Sequence, residues 1–321
     1  MEKRFTGGGI INSDSNGKYL LITPARNEEA NLPDVSGSVT GQKVTPALWL
    51  IVDDGSTDET PLILEGLKAQ YSWIQSIRLP PRPRDITFHY SYVCKQGFDH
   101  ALGYCKENGI EYEYIGLLDA DTILEENYFG KLMNEFEKDS SLGIASGGVY
   151  YDVGDKLSRE VTDKNLPRGT GRLWRKSCFL ETEGYSVEPS PDSISNIKAL
   201  LRGWKLKQYA DVVEIQTRKT SAGEGLWKGY VKNGWMAYYM DKNLPVVLLN
   251  TLYRSLKSPY YTGIAYLYGY LNSTIKREKK IPDMEIRAYY RSLKLGMLLS
   301  RVSGYLSRNS TDASQEERQT L

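Results

Sequence analysis

Over the first half of the chain, apolar residues fall into short unbroken runs separated by clusters of turn-forming residues. Residues 19–23 form one such run, stopped by Pro24, and residues 48–52 form a second, stopped by Asp53, Asp54 and Gly55. Runs of this length bounded by turn residues read as buried strands. Beyond Gly55, the polar residues 56–59 supply N-cap chemistry and Pro61 is tolerated only in a first helical turn, so a helix is expected to begin at Thr57 or Asp58. The rhythm continues with strands at 74–78 and 114–118 and helices at 96–108 and 126–138, the last with Tyr128, Leu132 and Phe136 on one face. Strands alternating with helices predict an α/β fold, a mostly parallel sheet with helices on both sides. The proline-rich, basic stretch 80–84 interrupts this order as a stiff loop to which we assign no partner.

From Leu142 the pattern changes. Gly147 and Gly148 precede an extended segment at 149–151, and a polar loop through Arg168 and Gly171 leads to a predicted helix ending at Leu180. Apolar stretches at 245–249 and 260–271 are too short to span a bilayer. Farther on, Ile286, Tyr289, Tyr290, Leu293, Met297, Val302, Tyr305 and Leu306 recur at helical spacing beside a second stripe of Arg287, Arg291, Lys294, Arg301 and Arg308, which predicts an amphipathic basic helix. The expected organisation is a loose leader at 1–18, a main α/β domain at 19–220 divided near residue 125, a helical, basic, tyrosine-rich extension at 221–310 and a tail at 311–321.

Composition sharpens this division. The 321 residues carry 41 Lys+Arg and 40 Asp+Glu, yet residues 254–308 hold 11 Lys/Arg against 3 Asp/Glu, so an acidic body carries a basic C-terminal quarter. Three cysteines, Cys94, Cys105 and Cys178, without CxxC spacing argue against a disulfide framework or a structural zinc site and for a reducing compartment. The leader lacks an apolar core of the secretory type, so a cytoplasmic location is expected. Nucleic-acid binding is not expected, because the basic residues gather on one helix outside any recognised module.

Ligands of parallel α/β sheets bind at the carboxyl ends of the strands, which directs attention to Asp53-Asp54 and to Asp119-Ala-Asp121. In extended chain, residues two apart point the same way, so Asp119 and Asp121 can present both carboxylates to one point. Hard divalent cations take oxygen ligands, and Mg2+ uses one or two carboxylates together with substrate phosphates. A lone DxD can equally be a capped turn, and Asp53 a cap for the turn at Gly55.

The order of the pieces decides more than any one of them. Pro24 to Glu28 after the first strand, Asp53 to Asp58 after the second, Lys95-Gln-Gly97 before Ala101, and Leu117 to Asp121 together resemble the family 2 glycosyltransferases of the GT-A fold. The resemblance covers residues 19–150 and thins out towards 220. It implies an inverting enzyme in which Pro24, Arg26, Glu28, Asp53 and Asp54 line the base and ribose of a UDP- or GDP-sugar and Lys95 approaches the nucleotide. It further implies that Asp119 and Asp121 reach the donor diphosphate through Mg2+ or Mn2+, Asp121 more directly. Where relatives carry a glycine turn followed by a Glu-Asp pair, this chain has Gly184-Tyr185 and then Pro191-Asp192, which makes Asp192 the candidate base. Arg218 and Lys219 stand where relatives have a basic loop over the diphosphate. Arg172, Trp174 and Arg175 are candidates for an acceptor or diphosphate face, and His89 and His100 receive no role. The Gln-x-x-Arg-Trp signature of processive synthases does not occur, which favours transfer of one sugar per encounter.

Two rival readings are a sugar-phosphate nucleotidylyltransferase, which is expected to carry a glycine-rich basic loop after its first strand, and a non-catalytic relative that binds a nucleotide sugar. The basic stripe within 254–308 suits peripheral contact with an anionic membrane and a lipid-linked acceptor on its cytoplasmic face. Packing on the catalytic domain or against a second copy in a homo-oligomer accounts for the same stripe.

Overall fold

The computed structural model describes residues 18–82, 87–152, 157–159, 165–218 and 225–292. It divides into two compact units, Met1–Lys219 and Thr220–Leu321. In the first, β1 (Tyr19–Ala25), β2 (Leu48–Asp53), β3 (Ile74–Arg78) and β4 (Tyr114–Leu117) join β5 (Thr122–Leu124), β6 (Leu142–Asp152), β7 (Leu157–Arg159), β8 (Arg172–Arg175) and β9 (Lys205–Gln216) in one sheet. Its order is β3-β2-β1-β4-β8-β6-β9-β5, with β7 on β6. The pairs β3–β2, β2–β1 and β1–β4 are parallel, as the alternating pattern predicts. Beyond β4 the sheet is mixed: β8 is antiparallel to both β4 and β6, β9 runs parallel to β6, and β5 antiparallel to β9.

The central strands are continuously apolar because both faces are covered. On one face Tyr19, Leu21, Trp49 and Ile51 pack with α1 (Leu32–Thr40), α2 (Thr60–Gln70) and α4 (Tyr128–Lys138); on the other Leu20, Ile22, Leu50 and Val52 pack with α3 (His89–Asn108). Burial of each such side chain contributes about 1.5–3 kcal/mol. Tyr128, Leu132 and Phe136 are buried together, as their spacing predicts. Two short helices complete the unit, α5 (Lys176–Glu181) and α6 (Pro191–Leu201).

Four of the departures from the expected element boundaries have a local cause. Strand β1 runs through Pro24 to Ala25, because the ring nitrogen falls on the β4 side beyond the last bond there, Leu118 N–H to Ile22 O. Helix α2 starts at Thr60, not at 57 or 58, because the preceding amides are taken by side chains: Ser56 N–H donates to Asp53 Oδ1, Thr57 N–H to Asn27 Oδ1 and Glu59 N–H to Glu29 Oε2. Helix α3 starts at His89, seven residues before the expected 96, since Ser91, Val93 and Cys94 are already buried against the sheet. Residues 172–175 form a buried strand, and only Lys176–Glu181 is helical, because β4 and β6 bond it from both sides.

In the second unit, α7 (Leu226–Tyr239), α8 (Leu244–Ser255), α9 (Thr262–Lys276) and α10 (Met284–Ser292) pack together. Ile286 of α10 is buried, and Asp241 accepts ion pairs from Lys280 (2.5 Å), Arg287 (2.9 Å) and Arg291 (2.6 Å). Arg287 and Arg291, read from the sequence as part of a free basic stripe, are therefore held by a buried carboxylate within this unit. The rest of that stripe, from Leu293 onwards, lies outside the described residues, as do Lys219, Pro83, Arg84, most of the leader and the tail.

Candidate active site

The carboxyl ends of β1, β2 and β4 lie side by side in the parallel part of the sheet, and the chain leaves each of them through acidic residues. The loops after β1 and β2 are laced together. Asn27, at φ +53°, donates from its N–H to Ser56 Oγ (3.0 Å), Glu28 N–H donates to Thr60 Oγ1 (2.8 Å), and Glu29 N–H to Asp58 Oδ2 (3.1 Å). Gly55 turns at φ +68° with its α-carbon against Pro81, a backbone that L side chains rarely adopt.

The two acidic residues after β2 take different places. Asp53 is buried with Oδ1 accepting from Ser56 N–H (2.8 Å) and Oδ2 paired to Arg78 (3.0 Å), so it braces the turn. Asp54 Oδ2 lies 2.6 Å from His89 Nε2 and 3.2 Å from the Arg26 guanidinium, while its Oδ1 is buried without a hydrogen-bond partner. An acceptor held out of water in this way is primed for an incoming N–H or O–H donor.

Asp119 is fixed at both ends: its N–H donates to Thr170 Oγ1 (2.9 Å) and its Oδ1 accepts from the Tyr90 hydroxyl (2.6 Å). Burial pushes its carboxyl up to about 6; the Tyr90 hydrogen bond opposes that shift, and the charges of Asp121, Asp192 and Glu28 add to it. Asp121 Oδ2 is bound by Arg218 Nε (3.1 Å), and the same guanidinium pairs with Glu28. Antiparallel pairing of β5 with β9 sets Thr122 opposite Gln216, which brings Arg218 over the DxD residues.

Asp192 is the second residue of α6, after Pro191 and after Ser190 at φ +53°. The loop at 168–171 separates it from Asp119: the α-carbon of Gly169 faces the Asp192 Cβ, and Thr170 holds the Asp119 amide. Arg172 braces this arrangement from below. Fully buried, it donates to the carbonyls of Pro167 (2.6 Å), Arg168 (2.6 Å) and Asp192 (3.1 Å) and to Asn196 Oδ1 (2.9 Å). Arg175 donates to the carbonyls of Phe136, Asp139 and Leu142, and Trp174 is in the core, so these three build the floor and do not offer a ligand face.

The structure thus brings together Arg26, Glu28, Asp54, Asp119, Asp121, Asp192 and Arg218, next to the end of β1 that carries Pro24. Asp53 stays at its turn. Lys95 sits two turns into α3, where its ammonium pairs with Asp99 (2.5 Å) and makes no hydrogen bond to the acidic cluster among the described residues. His89 and Tyr90, given no role from the sequence, touch Asp54 and Asp119 respectively; the signal that could have found them is the buried face of α3 extended back one more turn and a half.

Asp119 and Asp121 offer hard oxygen donors, and among the described residues no group of three or more His, Cys, Asp or Glu side chains stands close enough to hold a metal ion unaided. Such a pair fits Mg2+ or Mn2+ when phosphate oxygens complete the shell, and the mutual repulsion felt at Asp119 is what a cation would relieve.

The family description Glycosyl transferase family 2 matches residues 20–187, more than half of the chain and all of the strand ends described above. The chain belongs to glycosyl transferase family 2. Its α/β sheet flanked by helices is of the GT-A type expected from the motifs. The family 2 chain is 22% identical over 242 residues to the poly-beta-1,6-N-acetyl-D-glucosamine synthase of Staphylococcus aureus (strain COL), covering 69% of this chain and 55% of that one. It therefore spans about half the length of the curated relatives it matches. Among solved structures, TarS 1-349 of S. aureus in complex with UDP-GlcNAc aligns with TM-score 0.49 and 15% identity over 81% of this chain and 73% of that one. A mannosyltransferase of Pyrobaculum calidifontis in complex with GDP-Man and Mn2+ aligns with TM-score 0.49 and 13% identity over 92% and 80%.

Proposed function

We propose that the chain transfers one sugar from a UDP- or GDP-sugar to an acceptor hydroxyl or phosphate with inversion at the anomeric carbon, the acceptor being lipid-linked at the cytoplasmic face of a membrane. The observation that carries this reading is the convergence of carboxylates from three strand ends and one helix start, with Asp119 feeling the charges of Asp121, Asp192 and Glu28. Asp54 offers its free Oδ1 to the nucleotide, steadied by Arg26 and His89. Asp192, on the far side of the 168–171 loop, takes the acceptor proton as the acceptor oxygen bonds to the anomeric carbon. The bond from that carbon to the diphosphate oxygen breaks as this happens, and its electron pair leaves with the nucleoside diphosphate. Arg218 lies where it can trade a carboxylate for the diphosphate and neutralise the charge that develops there. Asp121 and Asp119 would hold Mg2+ or Mn2+, which supplies further electrostatic stabilisation of the leaving diphosphate.

The test is thermal stabilisation by a panel of nucleotide sugars with and without Mn2+. A ligand that binds only the folded chain at 100 times its Kd adds about 2.7 kcal/mol, an easily read shift. A UDP- or GDP-sugar is expected to raise Tm in a Mn2+-dependent way, and Asp121→Asn to remove the Mn2+-dependent part. An unchanged Mn2+ effect in that variant contradicts the role given to Asp121.

A further inference from the structure

Helix α9 has two apolar faces. On one, Gly263, Ala265, Tyr266, Gly269 and Ser273 are buried, and a Cβ at Gly269 would lie 2.0 Å from the Val231 carbonyl of α7, so the two backbones touch. On the opposite face Ile264, Tyr268, Leu271 and Ile275 recur at i, i+4, i+7 and i+11 and stand 61%, 54%, 42% and 81% exposed. Trp227 extends this stripe, its ring 6.4 Å from that of Tyr268 and 6.1 Å from that of Tyr261. A helix that is apolar on the side away from its own unit needs a second apolar phase.

We propose that this face docks flat on an anionic lipid surface, with α9 in the plane of the interface. The stripe is about 17 Å long at 1.5 Å per residue, and no described helix is long and apolar enough to cross a membrane. Its margins carry an excess of cations, with Glu278 the one acidic residue on the lining of the cleft. Lys228 and Lys232 border the open cleft that Trp227 and Tyr268 line, and Lys276, Arg277 and Lys279 follow at the C-terminal end of the stripe. Residues 225–292 carry eleven Lys/Arg against four Asp/Glu, and one of those acids, Asp241, is already shared by three cations. Branched aliphatic side chains flanked by Trp and Tyr, with lysines that reach headgroup phosphates, is the chemistry of in-plane helices at charged interfaces. A second copy of the chain is the poorer occupant, since two such units face to face bring like charge together. The proposal rests on the membrane-linked acceptor in the reading above, and narrows the contact expected within 254–308 to α9, adding the start of α7.

The test is co-sedimentation of the full chain, without donor or acceptor, with vesicles of phosphatidylcholine alone or mixed with phosphatidylglycerol. The chain is expected to bind only the mixed vesicles, with affinity falling as salt rises. The double substitution Ile264→Glu and Ile275→Glu lowers that affinity at least tenfold, Lys228→Gln with Lys232→Gln lowers it severalfold, and Leu62→Glu on the exposed face of α2 leaves it unchanged. Circular dichroism and Tm of each variant confirm that it folds. Three results overturn the proposal: no binding of the wild-type chain to mixed vesicles, undiminished binding by the Ile264/Ile275 variant, or a wild-type dimer in solution that this variant converts to monomers. Vesicle binding by a chain that releases no nucleotide from any sugar donor would retire the proposed reaction and leave this surface standing.

Discussion

At the scale of single residues, the site is a problem of surplus negative charge solved locally. Asp119, with a carboxyl pushed up to about 6, holds its proton in the folded chain at pH values where the unfolded chain has lost it. The folded state therefore binds more protons between the ordinary value near 3.8 and about 6, so this residue's contribution to stability falls as pH rises through that window. On the proposed reading, a bound cation offsets that loss. Below pH 6 the proton and the cation compete for Asp119, so the affinity for Mn2+ is expected to fall about tenfold per pH unit there and to level off above, as electron paramagnetic resonance of free Mn2+ would follow. Arg218 is the other claimant, bound to Asp121 and Glu28 at once. Arg218→Gln is expected to tighten Mn2+ binding in the absence of nucleotide and to weaken nucleoside diphosphate binding in its presence. Weakening of both would mean that Arg218 only holds the loop in shape. The DxD residues and Asp54 were legible as acids placed just after strands, and Asp192 only through the family resemblance. His89 and Tyr90 were not, because their partners lie 29 to 35 residues away and only the true start of α3 aligns them.

At the scale of elements, the strands were legible because burial on both faces writes an unbroken apolar run, whereas helix starts depend on which amides find side-chain acceptors from another loop. Nothing local in residues 56–59 says that Asn27 and Glu29 will take those amides. Residues 172–175 misled for a related reason: two arginines in four residues read as surface, yet their donors reach main-chain carbonyls of distant segments and so can be buried. Gly97, noticed as part of a motif, has a packing cause. A Cβ there would stand 2.7 Å from a methyl of Ile22 and 2.8 Å from one of Val52, so the glycine lets α3 lie close on β1 and β2 and sets His89 and Tyr90 over the strand ends. Gly97→Val is expected to destabilise the first unit by about 1–3 kcal/mol in urea unfolding, with donor affinity lost in step. Unaltered stability would show that the helix has room to withdraw.

At the scale of the whole molecule, the chain divides into two compact units at Lys219, and the basic stretch 254–308 falls within the second. What composition could not tell is which cations are spent inside the second unit. Asp241 gathers three of them, a fact of tertiary structure that removes Arg287 and Arg291 from any free stripe. The first unit carries the strand-end carboxylates, and the proposed reaction requires that they act together on one donor and one acceptor. The most direct measurement compares Asp192→Asn with the wild-type chain, using the nucleotide sugar that stabilises it best. Transfer rate, donor Kd and the anomeric configuration of the product would be read on the same preparation. Asp192→Asn is expected to slow transfer 10²–10⁴-fold at an unchanged donor Kd, with an inverted product from the wild-type chain. A variant that transfers at the wild-type rate, or a product that retains the donor's configuration, would contradict the proposed reaction.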